Sequence, residues 1–213
     1  MSPRPSIAHE RRPAILAAAA EVIAERGVQG TRISDVAQRA RTSAPGVLYW
    51  FPSKDDLLAE ALAFADDRFY EGLTGELGAL EGPWERLSRL IALWPVEDDR
   101  ETVLWMELWV RALRDPRLAA IRERLDRRWR GTIADVIRDG QASGEFETAA
   151  DAEDVALLIG ALMDGFAILL ALDDPAVTAD AVRRHCLAFA GSHLRVGEGE
   201  HDEGSVEGAA PAA

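Results

Sequence analysis

At 213 residues, 48% hydrophobic and 29% charged, the chain is long enough for one large domain or a small one joined to a larger, and apolar enough to exclude global disorder. One cysteine, Cys186, excludes an internal disulfide framework and fits a reducing cytoplasm; with no second thiol to resolve it, a quiet packing role is favoured over redox sensing. The net charge of -13 excludes a protein that coats RNA or membrane with widely spread positive charge, but it divides unevenly: residues 1–54 hold eight Lys/Arg against four Asp/Glu, so one end is basic and the rest strongly acidic.

In chain order, MSPRPSIAHERR has no apolar run of the kind a signal peptide needs and predicts a disordered arm over residues 1–8. Arg4, Arg11 and Arg12 either reach a phosphate backbone or minor groove or remain a solvated tail. A first helix over about 9–26 places Ile15, Leu16, Ala19, Val22 and Ile23 on one stripe, and Gly27 supplies a left-handed stop.

The stretch TRISDVAQRARTSAPGVLYWFPSK, Thr31 to Lys54, then reads as two short helices around a tight turn. Ile33, Val36, Ala37 and Ala40 recur at helical spacing, with Thr31 placed as the N-cap and Asp35 in the positive first turn. Ser43 caps a second helix from Ala44, and Pro45 falls in its first turn, where a missing N–H costs nothing. Val47, Leu48 and Phe51 are expected to face inward, leaving Ala44, Gly46, Tyr49 and Trp50 outward. Small residues followed by aromatics let that second helix approach another surface closely, which is the arrangement of a helix-turn-helix reading the major groove. The competing reading is an ordinary pair of core helices.

The residues Gly27, Thr31, Ile33, Val36, Ala37, Ala40, Ser43, Tyr49, Phe51, Lys54, Leu57 and Leu58, with RRPAILAAAAEVIAERG before them, resemble the DNA-binding domain of the TetR family of transcriptional regulators. The words LWMELWVRALRDPRL, RRWRGTIADVIRDGQASGEF and LLIGALMDGFAILLAL resemble the C-terminal domain of its BetI-type subgroup, which includes a choline-responsive regulator. The resemblance implies an all-α fold: a helix-turn-helix domain over 9–53, an effector-binding and dimerisation domain over 54–195, and repression relieved by a small molecule. It also implies a DNA phosphate contact from Lys54, the only lysine in the chain. Arg41 and Thr42 stand where the family has glycine and a small apolar residue, and Leu48 where many members have tyrosine. The DNA-facing set is then Thr31, Arg32, Arg41, Thr42, Ser43, Ala44, Pro45, Gly46, Tyr49, Trp50 and Lys54, with Arg41 adding a phosphate contact.

A fourth helix, about 54–79, takes Ser53 as cap and Asp55 and Asp56 in its first turn, and its stripe Leu57, Leu58, Ala61, Leu62 and Ala65 joins head to body. After Gly82-Pro83, helices are expected near 83–94, 99–114, 116–143, 151–172 and 175–194, punctuated by Pro95, Asp115-Pro116, Gly144 and Asp173-Asp174-Pro175. No segment alternates with period two, which supports an all-α fold. The tail 196–213, rich in Gly, Glu and Ala, reads as disordered.

Val155 to Leu172 carries one charge, Asp164, in 18 residues. A membrane span is allowed by length, but Asp164, two glycines and acidic flanks argue against it. Burial on all sides, partly against a second subunit, explains it better. With the last helix it can form a homodimer interface, as the family does, through Val155, Ile159, Leu162, Leu169, Val182 and Leu187; two reading heads then require a roughly palindromic operator.

Five of the six tryptophans lie in the body. They are either core aromatics or the lining of an effector pocket of Trp94, Trp105, Trp109, Trp129, Met163 and Phe166, with Glu107 or Asp164 as polar anchor, which would favour a cationic ligand. Nucleotide-binding loops, H-E-x-x-H and G-x-S-x-G are absent, and His9, His185, His193 and His201 lack metal-ligand spacing, so no catalytic residue, metal or cofactor is expected. The expectation is a cytoplasmic, ligand-responsive DNA-binding regulator; the alternative is a helical small-molecule-binding protein or enzyme with a vestigial head.

Overall fold

The computed structural model describes residues 7–93 and 99–195. Its helices are α1 (Ile7–Gly30), α2 (Ile33–Arg39), α3 (Ala44–Trp50), α4 (Lys54–Gly78), α5 (Pro83–Ala92), α6 (Asp99–Ala112), α7 (Pro116–Ser143), α8 (Ala152–Ala171) and α9 (Ala179–Leu194). Among the described residues no strand occurs. Helix α1 already begins at Ile7, inside the span expected to be an arm; the rest of that arm, the 196–213 tail and Trp94 lie outside the described residues.

Local chemistry sets most boundaries. Ser43, Ser53, Asp151 and Thr178 each accept a hydrogen bond from a backbone N–H in the first turn of the helix they precede. Thr178, not Pro175, therefore starts α9. Gly27 interrupts α1 at φ 69°, a conformation that costs glycine nothing, and bends the chain toward α2. Thr31 is not the cap of α2: the N-cap is Arg32, and the Thr31 hydroxyl, buried at 1% exposure, donates to the Gly27 carbonyl at 2.7 Å.

Two apolar cores result. In the head, Ile15, Leu16, Ala19, Val22 and Ile23 of α1 close on Val36, Ala37, Val47, Phe51, Leu57, Leu58 and Ala61. In the body, Leu87, Leu90 and Ile91 of α5 pack with Ile133 and Ile137 of α7, Ile159 and Met163 of α8, and Val182, Cys186 and Ala190 of α9. Helix α4 belongs to both, giving Leu57 and Leu58 to the head and Tyr70 and Leu73 to the body, while Ala59 joins Leu108, Leu118 and Leu125 in a third cluster between them. At about 1.5–3 kcal/mol for each large side chain buried, these cores couple α4 to both regions.

Two inward or outward assignments are corrected. Leu48 points out, 43% exposed, while Val47 and Phe51 are fully buried. Val155, Ile159 and Val182 lie in the protomer's own core and present nothing to a second subunit; the outer side of α8 instead exposes Leu158, Leu169 and Leu172, with Leu162 and Leu187 partly buried at its margins.

Candidate nucleic-acid interface and effector cavity

In the head, α3 buries only Val47. Ser43 Oγ accepts from the Gly46 N–H at 3.1 Å, and a Cβ at Gly46 would meet Thr42 Oγ1 at 2.7 Å, so only glycine fits this turn without displacing Thr42. Thr42 thus supports the turn from a half-buried position, while Ser43 and Pro45 are exposed and Ala44 and Gly46 half-buried beside them. Tyr49 is 80% exposed, and Trp50 meets it edge-on at 5.3 Å while packing back on the head core.

The charges around α3 are sorted by pairing. Arg26 is held by Asp35 at 2.7 Å, and Arg39 by Glu25 and Glu21 at 2.7 and 2.8 Å. Arg32 and Arg41 are exposed and, among the described residues, have no carboxylate partner. Lys54 leans toward the carbonyl of Gln29, at 3.5 Å a weak contact that leaves most of its ammonium available. Arg41 holds φ 52°, a left-handed conformation normally left to glycine or asparagine, and is exposed. Of the residues expected to face DNA, Thr31 alone is sealed inside.

The body encloses a cavity of about 750 Å³ between α4, α5, α6, α7, α8 and the start of α9. Trp105 and Trp109, one turn apart on α6, and Trp129 of α7 wall it together with Phe69 and Tyr70 of α4. Three residues expected there are elsewhere. Met163, 1% exposed, is in the core; Phe166 stacks on His185 at 5.9 Å; and Glu107 points from α6 toward the α1 kink, its Oε1 3.8 Å from where a Gly27 Cβ would lie and its buried Oε2 without a hydrogen-bond partner among the described residues.

Four carboxylates reach the wall, Asp66, Asp126, Asp164 and Asp180, beside Arg89, Arg130 and Arg183. Asp66 is bound by Arg128 at 2.9 Å, Asp126 by Arg122 at 2.5 Å, and Asp180 by Arg183. Asp164, among the described residues, has no ion-pair or hydrogen-bond partner. It is accessible from the cavity but hemmed in by protein, so desolvation first, and repulsion from Asp126 second, push its carboxyl up to about 6 against the pull of Arg130. Burial likewise raises Asp66 and Asp126, offset by their arginines, and lifts the Tyr70 hydroxyl to about 12 beneath the Arg128 guanidinium, 3.9 Å above its ring. Sequence spacing had a signal for part of this set: Leu125, Trp129 and the Asp126/Arg130 pair share neighbouring faces of α7 at three- and four-residue steps.

Residues 15–61 match the family described as bacterial regulatory proteins, tetR family, and residues 83–195, more than half the chain, match the BetI-type transcriptional repressor C-terminal domain. The chain belongs to the TetR family. Among similar structures, one from Saccharomonospora viridis, solved in complex with choline, is 33% identical, covers 87% of this chain and 97% of its own, and superposes with a TM-score of 0.74. The HTH-type transcriptional regulator BetI of Rhizobium meliloti (strain 1021) is 26% identical over 90% of this chain and 93% of its own length. HbdR of Aromatoleum sp. (strain CIB) is 28% identical over 56% of this chain, which spans about half of that protein, 53%. As a TetR-family member the chain is a transcriptional regulator, with a DNA-binding head on a ligand-binding, all-α body.

Proposed function

We propose that this regulator represses transcription as a homodimer on a palindromic operator and leaves the DNA when a small organic cation fills the body cavity. The observation that carries the reading is the unpaired Asp164 carboxylate facing a cavity walled by Trp105, Trp109 and Trp129, the pairing of charge and rings that favours a quaternary or alkylammonium head. The choline held by the Saccharomonospora viridis relative supports that ligand class. In the head, Ser43, Ala44, Pro45, Gly46 and Tyr49 meet base edges, Arg32, Arg41 and Lys54 meet phosphates, and Trp50 braces Tyr49. Two such heads fit half-sites spaced by about 34 Å or a multiple of it.

Helix α4 is the mechanical link, since it starts at the phosphate-facing Lys54 and runs on to Phe69 and Tyr70 at the cavity. Arg117 holds its Asp56 at 2.6 Å and Arg128 holds its Asp66 and Asp67 at 2.9 and 2.7 Å, so a ligand that shifts α7 shifts α4. Its leverage equals its difference in affinity between the two head spacings. Fluorescence anisotropy with the gene's own upstream DNA, titrated with choline, tests this: DNA release by choline, and loss of binding in Lys54→Ala, are expected. Binding that ignores both would overturn the reading.

A further inference from the structure

Helix α3 keeps Val47 inside the head and turns an apolar surface outward. At about 100° per residue, Pro45 and Tyr49 stand opposite Val47, and Leu48 lies beside them, about 60° round from Pro45. All three are exposed, Leu48 at 43% and Tyr49 at 80%. An exposed leucine is ordinary on a protein surface; what gives this one meaning is the chemistry missing around it. The side chains of α3 carry two polar groups, the Tyr49 hydroxyl and the Trp50 indole N–H, and Trp50 packs back on the head core. No amide, carboxylate, guanidinium, ammonium or imidazole lies between Ala44 and Trp50. Ser43 is engaged as the cap, accepting from the Gly46 N–H at 3.1 Å, and Thr42 lies against Gly46. The cations Arg32, Arg41 and Lys54 come before or after the helix, not on it.

In the major groove, guanine is read by the donors of arginine or lysine, adenine by the amide of asparagine or glutamine, and cytosine by a carboxylate. Helix α3 brings none of these. The base mark open to an apolar side chain there is the C5 methyl of thymine. We propose that Leu48 is a specificity-determining residue that packs on a thymine methyl in each half-site, with Pro45 and the Tyr49 ring lying along the same strip of groove. The inference rests on the DNA-binding reading above and adds which base feature α3 selects. The cations around α3 favour a polyanion over an apolar protein surface as the occupant of this face. A methyl seated on Leu48 leaves water together with it. The reversed base pair sets the adenine amino group there instead, a donor that leucine cannot satisfy. Selection therefore has two sources, contact with the right base and an unpaired polar group with the wrong one.

Thymine with and without its methyl makes the test. Full-length protein is titrated, at one fixed salt concentration, against the gene's own upstream DNA made with thymidine, with deoxyuridine, or with 5-bromodeoxyuridine, whose bromine restores bulk where the methyl was. A shuffled duplex of the same base content gives the non-specific baseline for each. Every contacted methyl lost should weaken binding about fourfold, the equivalent of one methylene-sized group returned to water, and two half-sites about fifteenfold. Bromine should recover most of that loss. Leu48 lies outside the head core, so Leu48→Ala should fold; it should bind thymidine DNA about as weakly as the wild type binds deoxyuridine DNA, and should not tell the two apart. Equal wild-type affinity for thymidine and deoxyuridine DNA, or a methyl effect that survives whole in Leu48→Ala, would overturn the proposal. So would a deoxyuridine loss that bromine fails to recover, because bulk at that position would not be what is read. Wild-type protein that prefers none of the three to its shuffled duplex would overturn the DNA-binding reading as well. Should Leu48→Ala not fold, the wild-type series across the three DNAs decides.

Discussion

In the head, Arg26 and Arg39 are tied to carboxylates, and what remains outward is cationic: Arg32, Arg41 and Lys54 around an exposed α3. In the body the arginines are largely consumed, Arg117 and Arg128 on α4, Arg122 on Asp126, Arg138 on Asp135, and what remains in the cavity, among the described residues, is Asp164 beside Arg130, neither of them in an ion pair. Exposed pairs of this kind contribute about 0–1 kcal/mol each, so their main effect is to cancel charge. The leftover charge, positive at the head and an acid beside a base in the cavity, tells the two regions apart better than the net charge of the whole chain does.

The largest expected effect separates the two regions outright. Phe51→Ala removes a fully buried ring from the head core and should cost about 3–5 kcal/mol, abolishing DNA binding while choline still changes the fluorescence of the body tryptophans. If the ligand response disappears with the head, the regions are not separable. Gly140→Ala is the complementary blow to the body, since a Cβ there would lie 2.1 Å from the buried Phe146 ring. Repacking should cost about 1–3 kcal/mol in calorimetric stability, with DNA affinity of the folded protein unchanged.

Asp164→Asn sharpens the electrostatic side. Folding raises this carboxyl from 3.8 to about 6, so the stability it contributes is fully present below pH 3.8 and is lost as pH rises through about 6. At pH 7 the neutral variant should therefore be the more stable, by about 1 kcal/mol or less because water reaches the group. Wild-type affinity for choline should fall up to about tenfold between pH 7 and pH 5, and the Asn variant, weaker throughout, should be flat; a parallel slope in both would remove Asp164 from the site. The smallest effect is Arg41→Gly. Relief of the φ 52° strain should raise stability by about 1 kcal/mol while the salt dependence of DNA binding drops by about one phosphate contact. An unchanged melting temperature would mean the turn stores no strain.

The head was legible because its determinants are local. Ser43, Pro45, Gly46 and the Val47/Phe51 pair lie within nine residues, and cap, turn and buried face follow from spacing alone. Where the reading failed, another local feature decided: Thr31 turned back on Gly27, four residues earlier, instead of capping α2, and Leu48 stands about 100° round α3 from Val47, off the face that Val47 and Phe51 share. The cavity draws on six helices, and spacing on one helix cannot tell which of two apolar faces meets a void. Trp105 and Trp109 turned toward it, whereas Met163 turned into the core and Glu107 toward α1. The exposed side of α8 was misplaced for the same reason, because a helix apolar all round carries no internal mark of which side its own chain covers.

Lys54 has one further consequence. It is the only lysine in the 213 residues, and it stands at the first turn of the helix that joins the two regions, four residues after the end of α3. Side-chain acylation can therefore strike this molecule at a single address. One acyl group there would erase a positive charge beside α3 and leave the body cavity untouched; on the DNA contact proposed for Lys54, the chain would then hear its signal without holding its operator.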